Sequence, residues 1–63
     1  MDAINALRIA RLALAMNYRI SYSEQERKYV NIGHTRQDQE AADAYNKLAE
    51  LAEEFALAEV KAR

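Results

Sequence analysis

The sequence predicts an all-α fold: an oligomeric helical bundle in which two longer amphipathic helices are joined by a short middle helix. Three observations favour helices, since 13 of the 63 residues are Ala, only one is Gly and none is Pro. Ala has the highest helix propensity, whereas an all-β chain would need more Val, Thr and turn-forming Gly. Residues 1–63 are expected to form a single small domain, because the sequence has neither repeats nor Gly/Ser-rich linkers.

The predicted first helix spans about residues 2–18 and begins at Asp2, a good N-cap whose charge suits a helix N-terminus. Projected at about 100° per residue, it has two apolar flanks beside a stripe of arginines. One flank holds Ile4, Leu7, Ala10, Leu14 and Tyr18, and the other holds Ile9, Leu12, Met16 and Ile20. Because apolar residues surround most of this helix, we expect it to lie between at least two partners.

The middle of the chain is open to two interpretations. As a helix over about 24–32, it has Ser23 as its N-cap, Glu26 completing a capping box and Gly33 just past its end in the left-handed conformation. As a β-hairpin over 18–32, one set of apolar residues would face another across a tight turn: Tyr18, Ile20 and Tyr22 against Val30 and Ile32, with Tyr29 on the other face. The turn residues 24–27 do not readily adopt positive φ, so the helix is favoured.

The predicted last helix spans about residues 36–62 and begins after Thr35, which forms a capping-box pattern with Asp38. At about 1.5 Å per residue it is about 40 Å long, whereas a compact domain of this size is roughly 27 Å across. A second chain is therefore expected to cover part of it. The predicted interface residues are Leu48, Leu51, Phe55, Leu57, Val60 and Glu59.

Glu59 is an unexpected member of that group, because it falls within the apolar stripe of the last helix. Either the final turn frays and leaves Glu59 in water, or a partner chain orders the turn and supplies a cation. In the second case the cation is expected to be Arg8 or Arg11 of a neighbouring first helix.

Several kinds of site are excluded or disfavoured by composition. The absence of Cys excludes disulfides, and with one His and no Cys a structural zinc site is close to excluded. A single Gly rules out phosphate-binding loops. No metal or cofactor is expected. A catalytic arrangement would need His34 and Asp38 to meet a hydroxyl of Ser21, Ser23 or Thr35, and nothing in the sequence fixes that geometry. The neighbouring carboxylates Glu50, Glu53 and Glu54 belong to a charged, solvated face, so the chain is not expected to be an enzyme.

Two functions remain. The first is a small homo-oligomeric interaction protein, a homodimer or higher, that binds another protein and modulates its activity through an Ala/Leu/Phe helix face. The alternative is a nucleic-acid or nucleotide binder. It would use arginine for phosphate contacts and tyrosine for stacking, with Arg8, Arg11, Arg19, Tyr18 and Tyr22 as the binding residues. The net charge of -1 argues against nonspecific DNA coating.

The expected location is the cytoplasm. No apolar run approaches the length of a membrane span, and Asp2, Arg8 and Arg11 interrupt any signal peptide at the start. An Arg-bearing amphipathic transit peptide is the other interpretation of this segment, and the absence of Ser before Ser21 disfavours it.

Overall fold

Two helices joined by a β-hairpin make up the protein. The computed structural model describes residues 2–62, in the order α1 (Ala3–Asn17), β1 (Ile20–Ser23), β2 (Lys28–Asn31) and α2 (Arg36–Ala62). The molecule is flat and elongated, with extents of 43 × 26 × 14 Å. The predicted all-α fold is therefore wrong in its middle third, because the segment expected to form a helix over 24–32 contains the hairpin turn and β2.

The hairpin turn explains this error. The Ser23 hydroxyl accepts the Glu26 backbone N–H at 3.2 Å, and the Ser23 carbonyl accepts the Arg27 N–H at 2.7 Å. One helical turn thus forms with the predicted N-cap. Arg27 then adopts a φ of 58°, in the left-handed region, which ends the turn and directs the chain back along β1.

The two strands pair antiparallel in a register that differs from the one considered for the hairpin alternative. Tyr22 pairs with Tyr29, and Ile20 pairs with Asn31. Side chains of directly paired residues lie on the same face of a sheet. Tyr29 therefore shares a face with Ile20 and Tyr22, and Val30 lies on the opposite face.

Both helices begin at the predicted caps, and their bounds agree with the predictions to within one residue. The Asp2 carboxylate accepts the Asn5 N–H at 2.7 Å at the start of α1. The Thr35 hydroxyl accepts the Asp38 N–H at 3.0 Å at the start of α2. These contacts satisfy backbone donors that the first turn of a helix leaves without a partner.

Asp38 also joins α2 to the segment that follows α1. Its carboxylate accepts the Arg19 backbone N–H at 3.0 Å, and this bond is the main reason that the pKa of Asp38 is lowered. Gly33 lies against the same carboxylate. A Cβ on Gly33 would lie 2.7 Å from the Arg19 Cβ and closer still to Asp38 Oδ2. Gly is thus required at position 33 because a side chain would clash there. The predicted left-handed conformation is found at His34 instead, which has a φ of 62°.

The core is small and centres on α2. Within residues 2–62, the buried apolar side chains are Ile20, Ala41 and Ala42, and no large side chain is completely buried. Leu14 of α1 and Tyr29 of β2 pack against this core from two sides. In the described part of the chain, α1 and the hairpin each pack on α2 but barely contact each other. This arrangement leaves much of the apolar surface of both helices uncovered.

Candidate interaction surface

The two apolar flanks of α1 have different environments. Ile4, Leu7, Ala10 and Leu14 are half-buried on the side that packs on α2. Ile9, Leu12 and Met16 are 44%, 47% and 85% exposed. At about 100° per residue, these three lie nearly opposite the α2-facing flank. They form what we call the outer face of α1, and within residues 2–62 it has no partner. Ile20, grouped with this flank on the sequence, instead belongs to β1 and is buried.

α2 extends beyond α1 at its C-terminal end. The two helices run antiparallel. Arg11 Nη1 donates to the Leu48 carbonyl at 3.5 Å. Further along α1, Leu14 and Tyr18 line a depression with residues from an earlier part of α2, Ala41 and Ala44. Ala3, the first residue of α1, is thus level with about residue 56 of α2, since both helices rise by the same distance per residue. Residues 57–62 form what we call the α2 overhang.

The predicted interface residues divide into two groups. Leu48 and Leu51 are half-buried within the chain, on the side of α2 that packs on α1. Phe55, Leu57 and Val60 are 46%, 55% and 70% exposed, and Glu59 is exposed beside them. The second group is available to another chain.

The total exposed area is large for the length of the chain. The accessible surface is 5003 Å². A folded monomer of this length typically exposes about 4,100 Å², so the excess is on the order of 900 Å². One partner in a standard protein–protein interface buries about 800 Å². The excess therefore matches the surface that one subunit loses on forming a stable complex.

The predicted phosphate-binding residues are not gathered into one site. Arg8 is held within α1, where its Nε and Nη2 donate to Asn5 Oδ1 at 3.1 and 2.8 Å. Arg11 is partly buried by its bond to the Leu48 carbonyl, and Arg19 and Tyr18 are exposed beyond the end of α1. Tyr22 lies on β1, and the depression that it lines includes none of these three arginines.

A tyrosine cluster that the sequence did not predict lies between the hairpin and α2. Tyr22 meets Tyr29 edge to face with ring centres 5.7 Å apart, and Tyr29 stacks on Tyr45 at 3.7 Å. The neighbouring Tyr45 side chain and, to a smaller extent, burial raise the pKa of Tyr29, whereas the positive charge of Arg11 lowers it. The Asn46 amide fixes this strand on α2, since it accepts the Tyr29 N–H at 2.8 Å and donates to the Tyr29 carbonyl at 2.9 Å. The cluster depends on the hairpin register, so helical periodicity could not reveal it.

Within residues 2–62, the groups considered for catalysis are not brought together, although Glu50 and Glu53 line a shallow depression beside Tyr22 and Tyr29. His34 is exposed in the loop before α2, whereas the carboxylate of Asp38 is engaged in structural contacts with Arg19 and Thr35. Glu50, Glu53 and Glu54 are exposed, and Glu50 is 3.9 Å from the Lys47 ammonium. Over residues 2–62, no three His, Cys, Asp or Glu side chains come together as a metal site would require.

No family profile, curated protein or solved structure matches this chain. Neither helix, over the residues described, has the length and apolar character needed to cross a bilayer.

Proposed function

We propose that this chain is a small homo-oligomeric interaction protein that binds another protein and modulates its activity through exposed apolar helix surface. The observation that carries the proposal is the accessible area of 5003 Å², about 900 Å² above what a monomer of this length typically exposes. The exposed surface includes large apolar side chains of both helices, which fits docking better than solvation.

The α2 overhang suits a protein partner. Leu57 and Val60 lie three residues apart, so they occupy neighbouring positions on one side of the helix, whereas Phe55 lies on the other side. An apolar groove on a partner can accept such a helix end, as many amphipathic helices are accepted. Binding would place these side chains in an apolar environment and alter the partner's own surface.

The alternative function, binding of a nucleic acid or nucleotide, has less support from the geometry. Arg8 and Arg11 already donate to Asn5 and to the Leu48 carbonyl, and Tyr22 lies on a different element. Binding there would require the arginines to exchange internal hydrogen bonds for phosphate contacts. A steep fall in affinity for nucleic acid with rising salt would be the sign of that function.

The test of partner binding uses a photocrosslinking amino acid at Val60 in cells of the native host, followed by mass spectrometry. The crosslinked protein is then purified and its affinity measured directly by calorimetry. We expect Val60→Asp to weaken binding at least about 30-fold, as loss of an interface hot spot does.

Lys47→Asp is the matched control, because it places the same carboxylate on the charged face of the same helix, where Lys47 is exposed. This variant should bind the partner within about fivefold of wild type. Equal affinity of Val60→Asp and wild type for the crosslinked protein would contradict the proposal, as would crosslinking to many unrelated proteins.

A further inference from the structure

The outer face of α1 is an apolar surface that α1 does not need for its own fold. Its three side chains, Ile9, Leu12 and Met16, follow the spacing i, i+3, i+7, which aligns them along one side of a helix. The opposite flank already supplies the contact with α2 through Leu14. The outer face therefore requires a separate explanation.

We propose that this face is the self-association surface, where α1 of one copy packs antiparallel against α1 of a second copy about a two-fold axis near Leu12. The inference rests on the proposed self-association and names the surface and the symmetry that produce it. A two-fold interface uses the same patch on both subunits, so the patch must be self-complementary.

The spacing of the outer face meets that condition. With Leu12 of both copies at the axis, Ile9 of each copy lies beside Met16 of the other, because these positions are three residues before and four residues after Leu12. Every large side chain of the face then meets an apolar side chain. Ala6 and Ala13 flank the face, and such small residues let two helix axes approach closely.

Charge supports a second copy as the occupant. An antiparallel pairing brings the N-terminal end of α1, which carries Asp2, beside the C-terminal end of the partner helix, which leads into Arg19. Both side chains are exposed, and the symmetry would create this attraction twice, in addition to the contact of Asp2 with the Asn5 N–H and the effect of Arg19 on Asp38 within each chain. Antiparallel helix dipoles also attract each other, and a net charge of -1 per chain produces little repulsion between copies.

The area is compatible with this occupant. The excess of about 900 Å² over an ordinary monomer includes both the outer face of α1 and the α2 overhang, so the outer face accounts for one part of it. The outer face would form the apolar centre of the interface between the copies and the flanking residues its rim. The α2 overhang is on another element and remains open to a different protein.

The first experiment measures dimer dissociation by sedimentation for wild type, Leu12→Glu and Leu57→Glu. Leu57→Glu is the matched control for Leu12→Glu, because both leucines lie on helices and have similar exposed fractions of 55% and 47%. We expect Leu12→Glu to raise the dimer dissociation constant at least about 30-fold and Leu57→Glu to change it by less than about fivefold. Circular dichroism would verify that each variant is folded.

The second experiment does not depend on the stability of a charged variant. The chain has no Cys, so Leu12→Cys and Leu57→Cys each introduce a single thiol. Leu12→Cys introduces one thiol in each copy, and these two thiols would lie opposite each other at the proposed axis. Mild oxidation should therefore yield a disulfide-linked dimer from Leu12→Cys but not from Leu57→Cys.

A monomeric wild type at micromolar concentration overturns the inference, and so does crosslinking through position 57 in place of 12. In the latter case the protein still self-associates, so the proposed function survives while the assigned surface fails. If dimers form through Leu12 but Val60 captures no partner, the surface is correct and the partner-binding function fails.

Discussion

Arg27 has a backbone conformation that an L-residue with a side chain disfavours. Its φ of 58° lies in the left-handed region, which costs a non-glycine residue about 1 kcal/mol or more. We expect Arg27→Gly to stabilise the protein by roughly 0.5–1 kcal/mol, because the relief of strain exceeds the entropy that Gly loses on folding. Urea denaturation would measure the change.

The control for this prediction is Gln25→Gly in the same turn, since Gln25 does not have positive φ. That variant should be neutral or less stable than wild type. A lower stability of Arg27→Gly would show that the Arg27 side chain contributes more than its backbone costs.

Asp38 makes the stability dependent on pH in the acid range. The pKa of its carboxylate lies below the ordinary value of 3.8, chiefly because it accepts the Arg19 N–H and a hydrogen bond from Thr35. The pKa is lower in the folded state, so the stabilisation is fully present above the unfolded-state value. It is lost as the pH falls below about 4 and through the folded-state pKa.

Asp38→Asn tests this dependence, because the Asn side-chain oxygen can still accept the Arg19 N–H but carries no charge. We expect the variant to be less stable than wild type at neutral pH and to lose less stability between about pH 7 and pH 3. Urea midpoints at both pH values give the comparison. Parallel losses in the two proteins would mean that other carboxylates control the acid response.

Among the elements, the two long helices were predicted, whereas the hairpin was only the less favoured of two interpretations, for a physical reason. Asp2 and Thr35 cap their helices through bonds to residues three positions away, so the signal is local. Ser23 gives an equally valid local signal, and its bond to the Glu26 N–H forms. The helical turn ends at Arg27, which has positive φ, and Tyr29 just beyond it is held by Asn46, 17 residues later. No local sequence pattern predicts the contact between Tyr29 and Asn46.

Asn46 is therefore predicted to be a major determinant of the position of the hairpin. Asn46→Ala leaves the partly buried N–H and carbonyl of Tyr29 without their partner, and should cost about 1–3 kcal/mol. Denaturation measures the loss, and hydrogen exchange should show faster exchange of the Tyr29 amide.

Gln39→Ala serves as the control for the Asn46 variant. It also removes a side-chain amide from α2, but the bond from Gln39 to Asp43 is exposed. Its cost should stay below about 0.5 kcal/mol. A similar small effect of Asn46→Ala would indicate that stacking on Tyr45 alone positions the strand.

At the scale of the whole molecule, the α2 overhang should be dispensable for folding of the monomer. Leu57 and Val60 are exposed, and α1 begins level with about residue 56. We expect a chain ending at Ala56 to melt within a few degrees of the full chain, when both carry Leu12→Glu to remove dimerisation. Thermal denaturation provides the test, and a large loss of stability would place the overhang within the fold.

The sequence predicted the exposed residues at the end of α2 better than it predicted the contacts between distant parts of the chain. The exposure of Leu57 and Val60 was predicted because the sequence gives the length of the last helix and the length of the chain, and the helix is longer than a domain of this size. The grouping of Arg8 and Arg11 with Tyr22 did not form. That grouping depended on the path of the chain between residues 19 and 33, which tertiary contacts determine.

The hairpin lies between α1 and α2 in the sequence, and this arrangement affects the order in which the elements fold. Asn46 meets Tyr29 across 17 residues, whereas Arg11 meets Leu48 across 37. Closing the longer loop costs about 0.7 kcal/mol more in chain entropy, and the partly buried core on the hairpin side can form without α1. We expect the hairpin and α2 to fold first and α1 to dock last. The element that would join two copies is then also the one most easily released from its own chain.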